Sequence, residues 1–385
     1  MLKCLRVILG FSTLIISAYS GIFLHVVPLV GLTIINSKLA YSWVNAVVIK
    51  WFQLAELILT LLFRIRIRTF GDRMDKNSFL FISNHRCRLD WFFTMALGQS
   101  VYDMKYSMKD PLKHVPFLGW AMQFSFFIFL KRDINQDRQR IANILQLIQA
   151  ISHNGDMKML FYPEGSDLSP SNLERNKKYA EKVGKKATEH VLLPRLTGFK
   201  EILKTLHEIK TPEVIYDVTI AYPKNIAQSE KDLFLGAYPE EVQFLIKEYK
   251  YIDLPFIMGL NGEGLDEEGA ANWLENLWIE KEACLKQFYE LPRDERIFSG
   301  KKEYFLENAG FNSQTNLATT RGSGVLVFWL LTVVAHVFLF VNFAFAKFYF
   351  ILMPIAFFFV DIFYDDGITG LFQRLYSIKS KKENK

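Results

Sequence analysis

An α/β fold, with a mostly parallel sheet, crossover helices and flanking N- and C-terminal membrane-embedded helices, is predicted by three observations. Charge-free apolar stretches stand near both ends, short apolar runs of strand length recur between them, and amphipathic helix patterns alternate with those runs. The 385 residues leave room for one large domain with extensions, or for two smaller ones. Half of them are apolar and 15% are aromatic, 35 Phe among them, which excludes a disordered or fibrous chain. The 46 Lys and Arg against 40 Asp and Glu give a mild +6, which argues against a nucleic-acid partner and suits an anionic lipid bilayer surface. Cys4, Cys87 and Cys284 lie far apart, in neither a disulfide framework nor a zinc pattern.

The first segment, 1–63, reads as membrane helices. From Val7 to Asn36 there is no Asp, Glu, Lys or Arg, and a helix needs about 20 such residues to cross a bilayer. The stretch is longer than a signal peptide's apolar core and lacks a clean cleavage site, so it is expected to stay attached, with Pro28 as a possible kink. Ala40 to Phe63 carries Lys50 and Glu56, and suits either a second span or an amphipathic helix in the interface. Arg64, Arg66 and Arg68 follow this pair while the turn within it offers only Lys38, and the positive-inside rule then puts the middle of the chain in the cytosol.

Residues 64–300 have the composition of a folded α/β domain. Runs at 78–83 (SFLFIS), 125–130 (SFFIFL), 157–162 (MKMLFY), 191–193 and 214–222 are expected as strands buried on both faces. Between them, Ile141, Ile144, Leu145, Ile148 and Ile151 recur at helical spacing over 138–153, closed by Asn154-Gly155. Strand, helix, strand in that order implies a parallel sheet. The pattern over 266–290 predicts a charged amphipathic helix whose expected role is packing on the domain or membrane surface. A linker is expected at 301–324 and membrane helices at 325–363. Of these, Val325 to Ala346 is charge-free and reads as a span, while the apolar run after Lys347 is short enough to be re-entrant, interfacial or crossing. Lys379, Lys381 and Lys382 mark a basic, solvated cytosolic tail over 364–385.

Polar residues cluster where these strands end. After SFLFIS comes Asn84-His85-Arg86-Cys87-Arg88-Leu89-Asp90, after SFFIFL come Lys131 and Arg132, MKMLFY leads into Pro163-Glu164-Gly165-Ser166, and the VLL run leads into Pro194-Arg195. The C-terminal ends of parallel strands share one edge, so the four clusters are expected to converge. Together they offer a histidine (His85), a carboxylate to orient it (Asp90), two guanidinium forks suited to phosphate (Arg132, Arg195) and a Glu-Gly-Ser turn. No nucleophile elbow, phosphate-binding glycine loop or metal-ligand spacing is present, so no cofactor or metal is expected and general base catalysis remains. A neutral His85 would take the proton of a substrate hydroxyl attacking an activated acyl carbonyl, with Asp90 fixing the imidazole tautomer. Membrane spans on both sides of such a site point to a lipid acceptor.

These residues resemble the glycerophospholipid acyltransferases, the family that includes 1-acylglycerol-3-phosphate acyltransferase, over most of 78–222. The block Asn-His-x-x-x-x-Asp is intact from Asn84 to Asp90. The second block stands as Phe129-Leu130-Lys131-Arg132, with Phe126 where many members have glycine. The third, Phe-Pro-Glu-Gly-Thr-Arg in most members, is Tyr162-Pro163-Glu164-Gly165-Ser166-Asp167, so that Asp167 replaces a cation. Pro194 and Arg195 carry the fourth. The FLGWAMQ run at 117–123, LPRLTGF at 193–199 and DVTIAYP at 217–223 are similar to the lysocardiolipin acyltransferase branch, which acylates lysophosphatidylinositol and lysocardiolipin at the endoplasmic reticulum. The resemblance implies acyl-CoA as co-substrate and a lysophospholipid of the lysophosphatidylinositol, lysocardiolipin or lysophosphatidate type as acceptor. It also implies His85 and Asp90 as the catalytic pair, with Asn84, Arg132, Glu164, Gly165, Ser166, Pro194 and Arg195 as substrate-binding residues. Two other readings stay open: a CoA-independent transacylase, and a non-catalytic lipid-binding protein whose His85–Asp90 pair is structural.

Overall fold

The computed structural model describes residues 2–30, 32–259, 262–304, 320–364 and 366–383. The N-terminal segment forms α1 (Leu2–Gly21), continued by irregular helical turns to Leu29, then the short α2 (Leu32–Ile35) and α3 (Ser37–Leu57). The sheet strands are β1 (Arg66–Gly71), β2 (Phe79–Ser83), β3 (Lys105–Lys109), β4 (Ile128–Leu130), β5 (Lys158–Phe161), β6 (Val214–Ala221) and β7 (Glu241–Lys250). A small separate hairpin, β8 (Ile257–Met258) with β9 (Gly264–Leu265), precedes the edge strand β10 (Glu303–Tyr304). Helices α4 (Asp90–Thr94), α5 (Leu118–Phe124), α6 (Ile134–Ile151), α7 (Pro170–Lys182), α8 (Leu196–Glu208), α9 (Glu230–Phe234) and α10 (Glu267–Glu290) complete the domain. At the C-terminal end lie α11 (Thr320–Asn342), α12 (Ala344–Phe363) and α13 (Gly367–Glu383).

The sheet order is β10-β1-β7-β6-β2-β5-β3-β4. All its pairings are parallel except β10 with β1 and β7 with β6, so the expected mostly parallel α/β sheet is present. Strand β2 is central, pairing with β5 and β6, and every one of its residues is buried. Period-two alternation divides its side chains between the layers. Phe79 and Phe81 join the core made with α3 and α4, whereas Leu80 and Ile82 join the core of α6, α8 and α10 through Ile144, Leu203 and Leu274.

The strand expectations hold at 78–83, 157–162 and 214–222 and need correction in two places. Within 125–130 only Ile128 to Leu130 is strand. Ser125 still bonds back to Ala121 of α5, and Phe126 sits at φ +58, a turn between helix and strand. Residues 191–193 form no strand, because their N–H groups are taken by side chains: Val191 donates to Glu282, Leu192 to Glu164 and Leu193 to Asn176. Three clusters therefore sit at strand ends and the fourth on a loop. β1, β3 and β7, with charged residues interleaved, lie outside the five apolar runs.

Among the described residues, four helical segments are long and apolar enough to cross a membrane: Leu2–Leu29, Ser37–Leu62, Gly322–Asn342 and Ala344–Phe363. They fall into two kinds. The N-terminal pair is 50% and 56% buried inside the protein, against 17% and 22% for the C-terminal pair. α1 and α3 thus lie along the domain, with Lys3 and Cys4 against Gly236 and Tyr41 against Phe126, while α11 and α12 turn most of their apolar surface outward. The apolar run after Lys347 is a 20-residue helix, because Lys347 is absorbed into its first turn and Asp361 into its last. Of the linker expected at 301–324, residues 305–319 lie outside the described residues. The tail is helical from Gly367 to Glu383, and Phe372 packs on Phe124 and Phe126.

Candidate active site

His85 and Asp90 flank the turn between β2 and α4, and the five-residue spacing is closed by that turn. His85 Nδ1 lies 2.9 Å from Asp90 Oδ2. The Asp90 carboxylate is completely buried and held by further donors: the Cys87 N–H at 3.0 Å, the Cys87 thiol at 3.2 Å and the Tyr222 hydroxyl at 2.5 Å. The imidazole stacks on Tyr162 with ring centroids 4.3 Å apart and planes 17° off parallel. With Nδ1 committed and the ring clamped, Nε2 is the nitrogen left for chemistry.

Arg132 leaves the end of β4 with φ +66 and crosses to the turn after β5, where its Nη2 donates to the Gly165 carbonyl at 2.5 Å and stands 3.5 Å from Ser166 Oγ. Gly165 itself has φ +67. A Cβ there would meet only Arg195 Cγ at 3.6 Å, so backbone conformation and not space selects glycine. Leu168 N–H donates to the His85 carbonyl and Arg195 N–H to that of Pro163, both at 2.7 Å, which ties this turn to both neighbouring clusters.

His85, Arg132, Gly165, Ser166 and Arg195 line one cavity of about 990 Å³. Its polar part also includes Arg88, Lys109, Asp167 and Glu230, and its apolar part includes Leu14, Val47, Phe52, Phe92 and Trp329. One continuous space therefore joins a histidine and several cations to a lining drawn from α1, α3 and α11.

The sequence model of the family described as Acyltransferase matches residues 64–222. Lysocardiolipin acyltransferase 1 of Mus musculus is 34% identical over 268 residues, covering 68% of this chain and 68% of that protein. Lysocardiolipin acyltransferase 1 of Danio rerio is 33% identical over 283 residues, covering 72% and 70%. The chain belongs to the glycerophospholipid acyltransferase family. Lysophosphatidylinositol acyltransferase 10 of Caenorhabditis elegans, 35% identical over 246 residues and covering 62% of this chain and 60% of that protein, falls in the same branch.

In this acyltransferase three of the residues expected at the substrate stand behind the cavity wall. Asn84 is completely buried, and its amide clips β2 to β6, donating to the Ile220 carbonyl at 3.1 Å and accepting from the Ile220 N–H at 2.8 Å. Glu164 is buried, and accepts from the N–H groups of His85 at 3.3 Å and Leu192 at 3.1 Å and from the Trp278 indole at 3.3 Å. Burial pushes its pKa up to about 8, against the pull of those three donors. Pro194 is buried outside the cavity lining.

Sequence reasoning missed Tyr222 and α10. Burial, with Asp90 beside it, holds the Tyr222 phenol well above its ordinary range, so it remains a donor to the carboxylate. On α10, expected only to pack, Trp278 braces Glu164 and Glu282 accepts from the N–H groups of Glu189, His190 and Val191 at 2.9 to 3.0 Å. Tyr222 stands next to last in the DVTIAYP run and could have been suspected there; nothing local marks Glu282.

Proposed function

We propose that this acyltransferase moves a fatty acyl chain from acyl-CoA to a free glycerol hydroxyl of a lysophospholipid, of the lysophosphatidylinositol or lysocardiolipin kind. One observation carries the reading: a histidine with Nδ1 held by a buried aspartate lines a cavity whose wall combines several cations with a large apolar surface. The relatives' names supply the acceptor class. His85 Nε2 removes the hydroxyl proton as the glycerol oxygen adds to the thioester carbonyl. The imidazolium is stabilised by Asp90 and returns that proton to the departing CoA thiolate as the carbonyl re-forms. Arg132 and Arg195 hold acceptor phosphate, with the Gly165-Ser166 turn set by Arg132. Asn84 and Glu164 position the loop that carries His85. Arg64, Arg66 and Arg68 against Lys38 support a cytosolic catalytic face, on the endoplasmic reticulum membrane, and no resident cofactor is required.

The test is turnover of purified protein in nanodiscs with lysophosphatidylinositol and radiolabelled oleoyl-CoA, and in parallel with a labelled diacyl phospholipid as the only donor. Product from oleoyl-CoA alone is expected; product from the phospholipid donor alone would make the protein a transacylase. His85→Ala is expected to lower turnover by roughly 10² to 10⁴, and Asp90→Asn by less, because its imidazole still accepts a proton. Wild-type turnover in either variant would remove the mechanism.

A further inference from the structure

Asp167 departs from the arginine of the family pattern that the third block resembles, and lines a cavity that also holds Arg88, Lys109, Arg132 and Arg195. It is only 4% exposed, and its Oδ2 is buried with no hydrogen-bond donor among the described residues. The other oxygen has one long contact, 3.5 Å from Asn172 Nδ2, an amide better spent on the Asp167 carbonyl at 2.8 Å. No Lys or Arg among the described residues reaches ion-pair distance from it, although Lys109, Arg132 and Arg88 share its cavity. A buried carboxylate left without donors is costly and is usually completed by a ligand or partner.

The chemistry of that ligand follows from the neighbours. A carboxylate accepts hydrogen bonds and donates none, so its partner must bring N–H or O–H groups. Lys109, Arg88 and Arg132 repel an ammonium head group, which leaves neutral hydroxyls. The following residue, Leu168, is bonded to the His85 carbonyl at 2.7 Å, so Asp167 stands one residue from a direct tie to the histidine turn. The same negative charge opposes a phosphomonoester, which carries more charge than a phosphodiester. We propose that Asp167 reads the head group of the acceptor: it takes the hydroxyls of a polyol phosphodiester, inositol or glycerol, and disfavours lysophosphatidate. The inference rests on the lysophospholipid reading above and adds to it the residue that selects among acceptors.

The experiment compares kcat/KM for lysophosphatidylinositol and lysophosphatidate, with oleoyl-CoA saturating, in full-length wild type and in Asp167→Asn, a near-isosteric change that removes the charge. Lysophosphatidylinositol is expected to fall roughly tenfold or more, the worth of a charge-assisted hydrogen bond, while lysophosphatidate rises in the same preparation, which also shows that the variant is folded. Asp167→Arg should invert the preference further. Equal losses on both acceptors, no change on either, or a change confined to the KM for oleoyl-CoA would each overturn the assignment. Wild type without turnover on any lysolipid would sink the acyl-transfer reading instead. In that event equilibrium binding of lysophosphatidylinositol to wild type and Asp167→Asn still tests the head-group contact, and equal affinities would overturn it.

Discussion

The Tyr222 hydroxyl donates to the buried Asp90 carboxylate on the oxygen that does not hold His85. By donating to Oδ1 it draws charge away from the oxygen that holds His85; Cys87, Tyr162 and Glu164 are the other titratable groups facing this pair. Tyr222→Phe leaves the ring in place and concentrates charge on Asp90, so the imidazolium is held more strongly. The expected outcome is an acidic limb of the kcat/KM profile moved upward by about 0.5 to 1 pH unit, with a fall of roughly three- to tenfold at neutral pH. A uniform loss at all pH values would assign Tyr222 to packing alone. Glu164 gives a second pH signature. Its folded pKa of about 8 lies above the ordinary glutamate value of about 4.3, so the folded state keeps a proton that the unfolded state releases. Stability is therefore fully present below the ordinary value and is lost as pH rises through about 8. The melting midpoint should drop between pH 6 and 9, and Glu164→Gln should show a flatter profile from a lower start; scanning fluorimetry across that range checks both.

At the level of elements, the loop before α8 depends on a helix distant in sequence. Glu282 on α10 satisfies three consecutive N–H groups at 189–191, and this loop leads to Arg195 in the cavity wall. Glu282→Ala should lower stability by about 1 to 3 kcal/mol and raise the KM for the lysolipid several-fold with a smaller effect on kcat, measured by denaturant titration and steady-state kinetics. The same loop shows where sequence reading stops. Residues 191–193 have the composition of a buried strand and are indeed buried or half-buried, but a strand needs backbone partners and here Glu282, Glu164 and Asn176 supply the acceptors from elsewhere. By contrast β2 was legible, because burial on both faces writes an unbroken apolar run, and the turn after it carried the His85–Asp90 pair in a spacing that only a turn can close. Asn84 and Glu164 were legible as part of the site but not as supports, since whether a polar side chain faces a ligand or a neighbouring strand is decided by tertiary contacts.

Across the whole molecule, a buried carboxylate is among the contacts that tie the outward-facing C-terminal hairpin to the domain. Asp361, in the last turn of α12, accepts from the Trp120 indole at 3.2 Å and the Gln123 amide at 2.9 Å, both on α5. Asp361→Ala leaves the Trp120 indole unpaired, while the Gln123 amide keeps its bond to the Lys113 carbonyl at 3.0 Å, and should lower the unfolding free energy by about 1 to 3 kcal/mol, read as a lower melting midpoint in nanodiscs, while Asp361→Asn should lose less. The cavity has a kinetic consequence of its own. Its wall is shared between the sheet domain and helices whose other faces are apolar and exposed, as with Leu14 and Val47 inside against Ile8 and Ile16 outside. Under the proposed function, those exposed apolar faces suit a bilayer, from which a lysolipid would enter this space sideways. In the proposed reaction the acceptor is thus sampled by lateral diffusion, and the concentration that governs the rate is its mole fraction in the two-dimensional lipid phase, not its amount per volume of water.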